Sequence, residues 1–120
     1  MLSALCHNRL VTIVRIEDIR RSETAAVFIG REHGANVSFF IVSCRRGEGP
    51  ESHRHPYEET FVIQEGSTEF TVGTETFEVD AGSIVVAPAG VMHSFKGASD
   101  SITRQVNIHP VAEIVTEWME

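Results

Sequence analysis

The chain has 120 residues, 42% of them hydrophobic, and a formal net charge of −7. That is enough chain for one domain with one core, and too apolar a composition for bulk disorder. The acidic balance disfavours nucleic acid and anionic membranes as partners, and no apolar run approaches the ~20 residues a membrane helix needs.

The two cysteines, Cys6 and Cys44, follow neither a disulfide-scaffold nor a zinc-finger spacing. Cys44 sits in a strand pattern, where a small buried hydrophobe is its expected role. The first nine residues have an apolar tint but no basic leading segment and no long apolar stretch, so they do not read as a signal peptide. Residues 1–10 are expected to be a flexible leader, and residues 11–120 a single domain. Reduced thiols in a cytoplasmic protein are the default expectation.

In chain order, Val11 to Ile16 is β-branched and reads as a short strand. The charged stretch Glu17 to Glu23 reads as a loop or one helical turn. Thr24 to Ile29 is the next strand, closed by Gly30, and Gly34-Ala35-Asn36 marks a turn. Val37 to Arg46 is the longest strand; both of its faces are apolar at the centre, which predicts burial between layers. After a Gly47-Gly49-Pro50 loop come His53 and His55, then Glu59 to Glu65. On that strand Phe61 and Ile63 share the Glu59 face. Thr68 to Val72 and Glu75 to Val79 alternate around Gly73-Thr74, a Gly-first pair suited to a tight hairpin. Ser83 to Ala87 reads as a buried strand, His93 opens the next, and Ser101 to His109 is the last. Pro110 to Met119 changes character. Its apolar residues at 111, 114, 115 and 118 fall on one helical face behind a proline suited to a first turn. A short C-terminal helix is therefore expected, with Trp118 packed against the barrel or a partner subunit. Nine or ten short strands at regular spacing predict a sandwich or barrel.

The chemistry gathers in two stretches. His53 and His55 stand two apart, so on an extended strand both imidazoles project from one side. Glu59 follows four residues later, and a turn through Pro56-Tyr57 would bring it to the same point. His93 follows an apolar strand and the turn Pro88-Ala89-Gly90. Three imidazoles and a carboxylate form a mixed nitrogen and oxygen set. It suits one divalent transition metal per chain: iron, manganese, nickel, copper, cobalt or zinc.

Both stretches resemble the two signature motifs of the cupin superfamily. The first is Gly, five residues, His-x-His, three or four residues, Glu, six residues, Gly. It is met by Gly47, His53, His55, Glu59 and Gly66. The second is Gly, five residues, Pro-x-Gly, two residues, His, three residues, Asn. It is met by Gly82, Pro88, Gly90 and His93, with Gly97 in place of the final Asn. The resemblance implies a small all-β jelly-roll barrel and a homodimer, often built by edge-strand exchange. An exposed edge at Val11–Ile16 would need such covering.

If His53, His55, Glu59 and His93 hold one octahedral ion, two positions stay open for water, dioxygen or a bidentate substrate. A tetrahedral zinc would instead be saturated and structural. Strand parity makes Phe61, Ile63 and Phe95 candidate pocket walls. Gln105, Asn107 and His109 share one face of the last strand, and either line the pocket or face solvent. Arg45 is a candidate anion contact, more ordinarily a solvated residue. Tyr57 and Glu58 shape the rim. No general base and no nucleophile-base pair is placed by the sequence, so the catalytic residues stay unassigned. Three function classes follow: a metal-dependent dioxygenase or isomerase acting on a small organic molecule, a non-catalytic ligand-binding or sensing module, and a structural barrel stabilised by its metal.

Overall fold

The computed structural model of the chain describes residues 10–119, so the expected leader lies outside the described residues except for Leu10. Alternating apolar and polar residues between glycine turns fold into ten strands among the described residues. They are β1 (Ala25–Phe28), β2 (Ser38–Cys44), β3 (His53–Arg54), β4 (Glu59–Glu65), β5 (Ser67–Val72), β6 (Glu75–Asp80), β7 (Ile84–Ala87), β8 (His93–Gly97), β9 (Thr103–His109) and β10 (Glu117–Trp118). They form two five-stranded sheets, ordered β1-β2-β9-β4-β7 and β10-β3-β8-β5-β6. This is the jelly-roll barrel that the strand count and motifs predicted. None of the helices among the described residues is long and apolar enough to cross a membrane.

The sheets face one another, and their inner residues make the core. Phe61, Ile63, Phe70 and Phe95 cluster there with Val42, Cys44 and Ala87. The Phe61 and Phe70 rings meet edge-on with centroids 4.9 Å apart. Each such buried ring contributes roughly 1.5–3 kcal/mol from removal of its surface from water. On β9 the residues Thr103, Gln105, Asn107 and His109 are all buried, so the polar face of that strand points inward. β2 is half right as a doubly buried strand: Val42 and Cys44 face the core, while Phe39 and Ile41 on the other face are only half-buried. Thr12, Val14 and Ile16 line a groove over that outer face with Phe28, Phe39 and Ile41.

The β5–β6 hairpin closes as expected, with Val72 opposite Glu75 across the two-residue turn. Gly73 supplies the positive φ of 61° that the turn demands. Gly97, which replaces the motif's asparagine, has its own structural reason. A Cβ there would lie 2.5 Å from the Arg45 carbonyl oxygen. The chain from Arg45 to Glu48 passes that close because Gly47 N–H donates to Gly97 O at 2.8 Å and Gly97 N–H donates to Glu48 O at 3.0 Å.

Two expected elements are absent. Val11 to Arg15 adopts no strand, and the chain then makes one 3-10 turn, Ile16–Ile19. A β-branched run needs a neighbouring strand to satisfy its amides, and none lies alongside. The C-terminal helix is replaced by an irregular strap ending in β10. There, β10 pairs with β3, Glu117 opposite Arg54 and Trp118 opposite His53. The strap's polar groups go to tertiary partners instead of to one another. Ala112 O accepts from Arg31 N–H at 2.8 Å, and Met119 N–H donates to Ser52 O at 3.1 Å. Val111 O accepts from Ser38 Oγ at 2.9 Å. Trp118 is 56% exposed, so it is not the core anchor that its helical face suggested.

Candidate metal centre

The two motifs meet through strand pairing. His53 on β3 lies opposite His93 at the start of β8. His55 follows just beyond β3, and its carbonyl accepts from Gly90 N–H at 2.8 Å. The Pro-x-Gly turn of the second motif thus pins the backbone of the first. Glu59 opens β4 opposite Ala87. One donor atom from each of His53, His55, Glu59 and His93 falls within 4.8 Å of the others, and all four residues are buried. That separation is close to the roughly 4 Å that opposite donors keep across one ion.

The backbone sets which nitrogen of each ring faces inward. His53 Nδ1–H donates to Glu51 O at 2.7 Å. His55 Nδ1–H donates to Val115 O at 2.7 Å. His93 Nδ1–H donates to Val91 O at 3.2 Å. Carbonyl oxygens accept only, so each Nδ1 carries its proton and each neutral ring offers a bare Nε2 lone pair. These lone pairs converge on a carboxylate: Glu59 Oε1 lies 3.0 Å from His55 Nε2 and 2.9 Å from His93 Nε2. Acceptors packed this closely, out of water, need a cation between them. The His55 contact is also off the line of a hydrogen bond, which leaves Nε2 a buried nitrogen without a bonded partner. The donor set therefore fits a divalent transition metal. Burial opposes charge on His55, but the adjacent Glu59 carboxylate and the bond to the Val115 carbonyl outweigh it and raise its pKa above the ordinary imidazole value. For His53 burial dominates and lowers the pKa. Glu59 is desolvated, yet the His109, His55 and His93 rings packed against it hold its carboxyl far below the usual carboxylate range.

Four residues around this cluster are less visible in sequence. Tyr57 O–H donates to His109 Nδ1 at 2.8 Å, and Val115 N–H donates to the Tyr57 oxygen at 3.2 Å. His109 Nε2 lies 3.1 Å from Glu59 Oε2. Val115, in the strap, thereby contacts His55 through its carbonyl and Tyr57 through its amide. Trp118 lays its ring 4.8 Å from that of His53. The Asn107-x-His109 alternation carried the one signal for His109. Val115 contributes only backbone atoms, so no residue pattern could have marked it.

A cavity of about 650 Å³ opens beside the cluster. Its lining includes His53, His55, Glu59, Phe40, Phe95 and Asn107. Of the sequence-derived wall residues, Phe95 and Asn107 therefore line the space. Phe61 and Ile63 pack in the core behind it; the Phe61 ring supports His93 from 5.8 Å. Gln105 is buried behind Asn107, accepting from Thr68 Oγ1 at 2.8 Å and donating from Nε2 to Asn107 Oδ1 at 2.8 Å. Arg45 is exposed and outside the cavity lining. Sequence reading had not seen β1 and β2 as walls, because Val27, Phe40 and Val42 look like ordinary core residues.

Residues 40–109, more than half of the chain, match the family model described as Cupin domain. This chain is a cupin. An uncharacterized protein of Streptomyces coelicolor is 32% identical over 75 residues, covering 62% of this chain and 71% of that protein. A Streptomyces cyaneus protein named as polyketide synthase CurC is 34% identical over 82 residues, covering 66% of this chain and 53% of that one. Among solved structures, the oxalate decarboxylase of Lactobacillus farciminis, in complex with formate, aligns with a TM-score of 0.76 and 21% identity over 88% of this chain. The Bacillus subtilis oxalate decarboxylase with Mn(II) centres aligns with a TM-score of 0.76 and 19% identity over the same share. The cupin spans only 35% and 31% of those two chains. A Klebsiella pneumoniae protein with a double-stranded β-helix domain aligns with a TM-score of 0.72 at 18% identity over 90% of this chain and 91% of that one. At these identities the structural likeness shows the fold alone.

Proposed function

We propose that this cupin is a metal-dependent protein that binds a small organic molecule and transforms it, by oxygenation or isomerisation, at a mononuclear site. His53, His55, Glu59 and His93 are the ligands in this reading. The observation that carries it is the convergence of inward-facing Nε2 atoms, fixed by Nδ1–H bonds to carbonyls, on one buried carboxylate. A bound divalent ion would supply Lewis acidity or dioxygen activation at its open positions. The chain's own residues do the rest. The carbonyls of Glu51, Val115 and Val91 hold the imidazole tautomers. The four ligand side chains are themselves buried, and the Tyr57–His109 pair steadies the second oxygen of Glu59. The adjoining cavity favours ligand binding over a purely structural ion, because structural sites are closed. The Mn(II) of the B. subtilis neighbour fits the same softness range as this donor set.

The test is elemental analysis of protein purified without chelator or affinity metal, followed by substrate screening under oxygen. About one iron, manganese, nickel, copper or cobalt per chain is expected. No uptake after reconstitution with any of these ions or zinc would overturn the reading.

The active form is read as a cytoplasmic homodimer. Support comes from Ile84 and Val86 on β7, which are 67% and 57% exposed on an edge strand, where a second copy would cover them. Sedimentation at monomer mass would sink this.

A further inference from the structure

We propose that the ligand taken by this site is an apolar molecule bearing a β-dicarbonyl head that binds as its monoanionic enolate, and not a small dicarboxylate; this rests on the metal reading above. Three observations point there. The first is the character of the walls. The cavity's apolar lining is Val27, Phe40, Val42 and Phe95, with Ile114 and Trp118 from the strap. A space of about 650 Å³ with such walls suits a carbon body far larger than a two-carbon acid.

The second is charge. A divalent ion on Glu59 leaves the centre with one net positive charge, and a monoanion neutralises it. A dianion would leave a net negative charge in an apolar cavity, which is costly without a buried cation beside it. The wall offers none. The two guanidinium groups that line the cavity, Arg21 and Arg31, belong to exposed residues, and Arg31 pairs with Glu113 at 3.3 Å. Glu32 and Glu48 add negative charge to the same lining.

The third is the neutral donor. Asn107 is 4% exposed and lines the cavity. Thr68 Oγ1–H donates to Gln105 Oε1, and Gln105 Nε2–H in turn donates to Asn107 Oδ1. The relay fixes the Asn107 amide so that its NH₂ group is the one left to donate. A carbonyl or enolate oxygen accepts from it, whereas an apolar group would strand it. With a metal held by the four ligands, the two oxygens of such a head would chelate it, and the enol proton would leave to solvent on binding.

The test uses the protein loaded with cobalt(II), with cobalt content measured separately. Acetylacetone, 1-phenyl-1,3-butanedione and oxalate are titrated in turn. Binding is read from the cobalt visible spectrum and from the fluorescence of Trp118, the chain's one tryptophan, which lines the cavity. The phenyl diketone should bind more than about tenfold tighter than acetylacetone, since each buried CH₂ is worth roughly fourfold in affinity. It should quench Trp118, and oxalate should bind weakest. Ile114→Asn should weaken the phenyl diketone several-fold more than it weakens acetylacetone, with cobalt content retained; equal loss for both ligands overturns the apolar-body contact. Equal binding of the two diketones, oxalate binding as tightly as either, or full cobalt loading with no diketone binding overturns the ligand class alone. Failure to load cobalt overturns the metal reading and this inference with it.

Discussion

Replacing Tyr57 with phenylalanine tests whether the strap tunes the centre. The substitution keeps the ring, which stacks on His55 at 5.1 Å, and removes one hydroxyl. That hydroxyl donates to His109 Nδ1 and accepts from Val115 N–H. His109 is 1% exposed, so its Nδ1 is left without a partner and without water. An unsatisfied buried group costs about 1–3 kcal/mol, and at this chain length each kcal/mol lowers Tm by roughly 4 °C. Loss of a purely structural bond would lower Tm equally with and without metal. Loss of a bond that positions Glu59 through His109 does more, because changes behind a ligand cost about 10–100-fold in metal affinity. Metal-induced stabilisation should then shrink by about 1.4 kcal/mol for each tenfold, in addition to the metal-free loss. Calorimetric titration with zinc or cobalt, paired with thermal melts of both forms, separates the two. Wild-type affinity in Tyr57→Phe, with both melts lowered alike, would refute the positioning role.

His55→Ala and His93→Ala should each weaken metal binding by more than the ~100-fold upper end for changes behind a ligand, while leaving a folded barrel; full occupancy by elemental analysis in either variant would break the ligand assignment. Metal affinity should fall as pH drops through the imidazole range, about 6.5 for a free ring, because protons compete for Nε2, and a pH series of titrations reads this directly. The metal-free protein should lose stability on the acid side: Glu59, depressed in the fold, contributes above its unfolded pKa of about 4.5 and loses that contribution progressively as pH falls below it. A urea-midpoint series flat from neutral pH to well below that value would contradict it. Gly97→Asn, which restores the family's motif residue, should destabilise by about 1–3 kcal/mol or more, since its Cβ would sit 2.5 Å from Arg45 O; an unchanged urea midpoint would show that the Arg45–Glu48 loop yields freely.

Where the residues themselves carry the geometry, the sequence was sufficient. His53 and His55 share a side because a strand repeats every two residues, and Gly73-Thr74 closes a hairpin because glycine reaches positive φ. The glycines and proline at set distances placed Glu59 and His93 at the starts of strands in the two facing sheets, and the matching spacing of both motifs named the fold. Tertiary structure decided the rest. Val111, Ile114, Val115 and Trp118 are spaced for a helix, yet Ser38, His55 and Arg31 take the strap's carbonyls, so the helical bonds have nothing to accept them. The Val11–Ile16 run has strand composition but no partner strand. The inward turn of Gln105, Asn107 and His109 was undecided by alternation, since period two gives the same pattern for either facing. It was settled by register: Gln105 lies opposite the core residues Val42 and Ile63, and Asn107 opposite Phe61. The cavity walls drawn from β1, β2 and the strap are likewise a product of closure. Only a barrel that brings residues 27, 42, 95 and 114 around one point can say that they enclose a site and not merely a core.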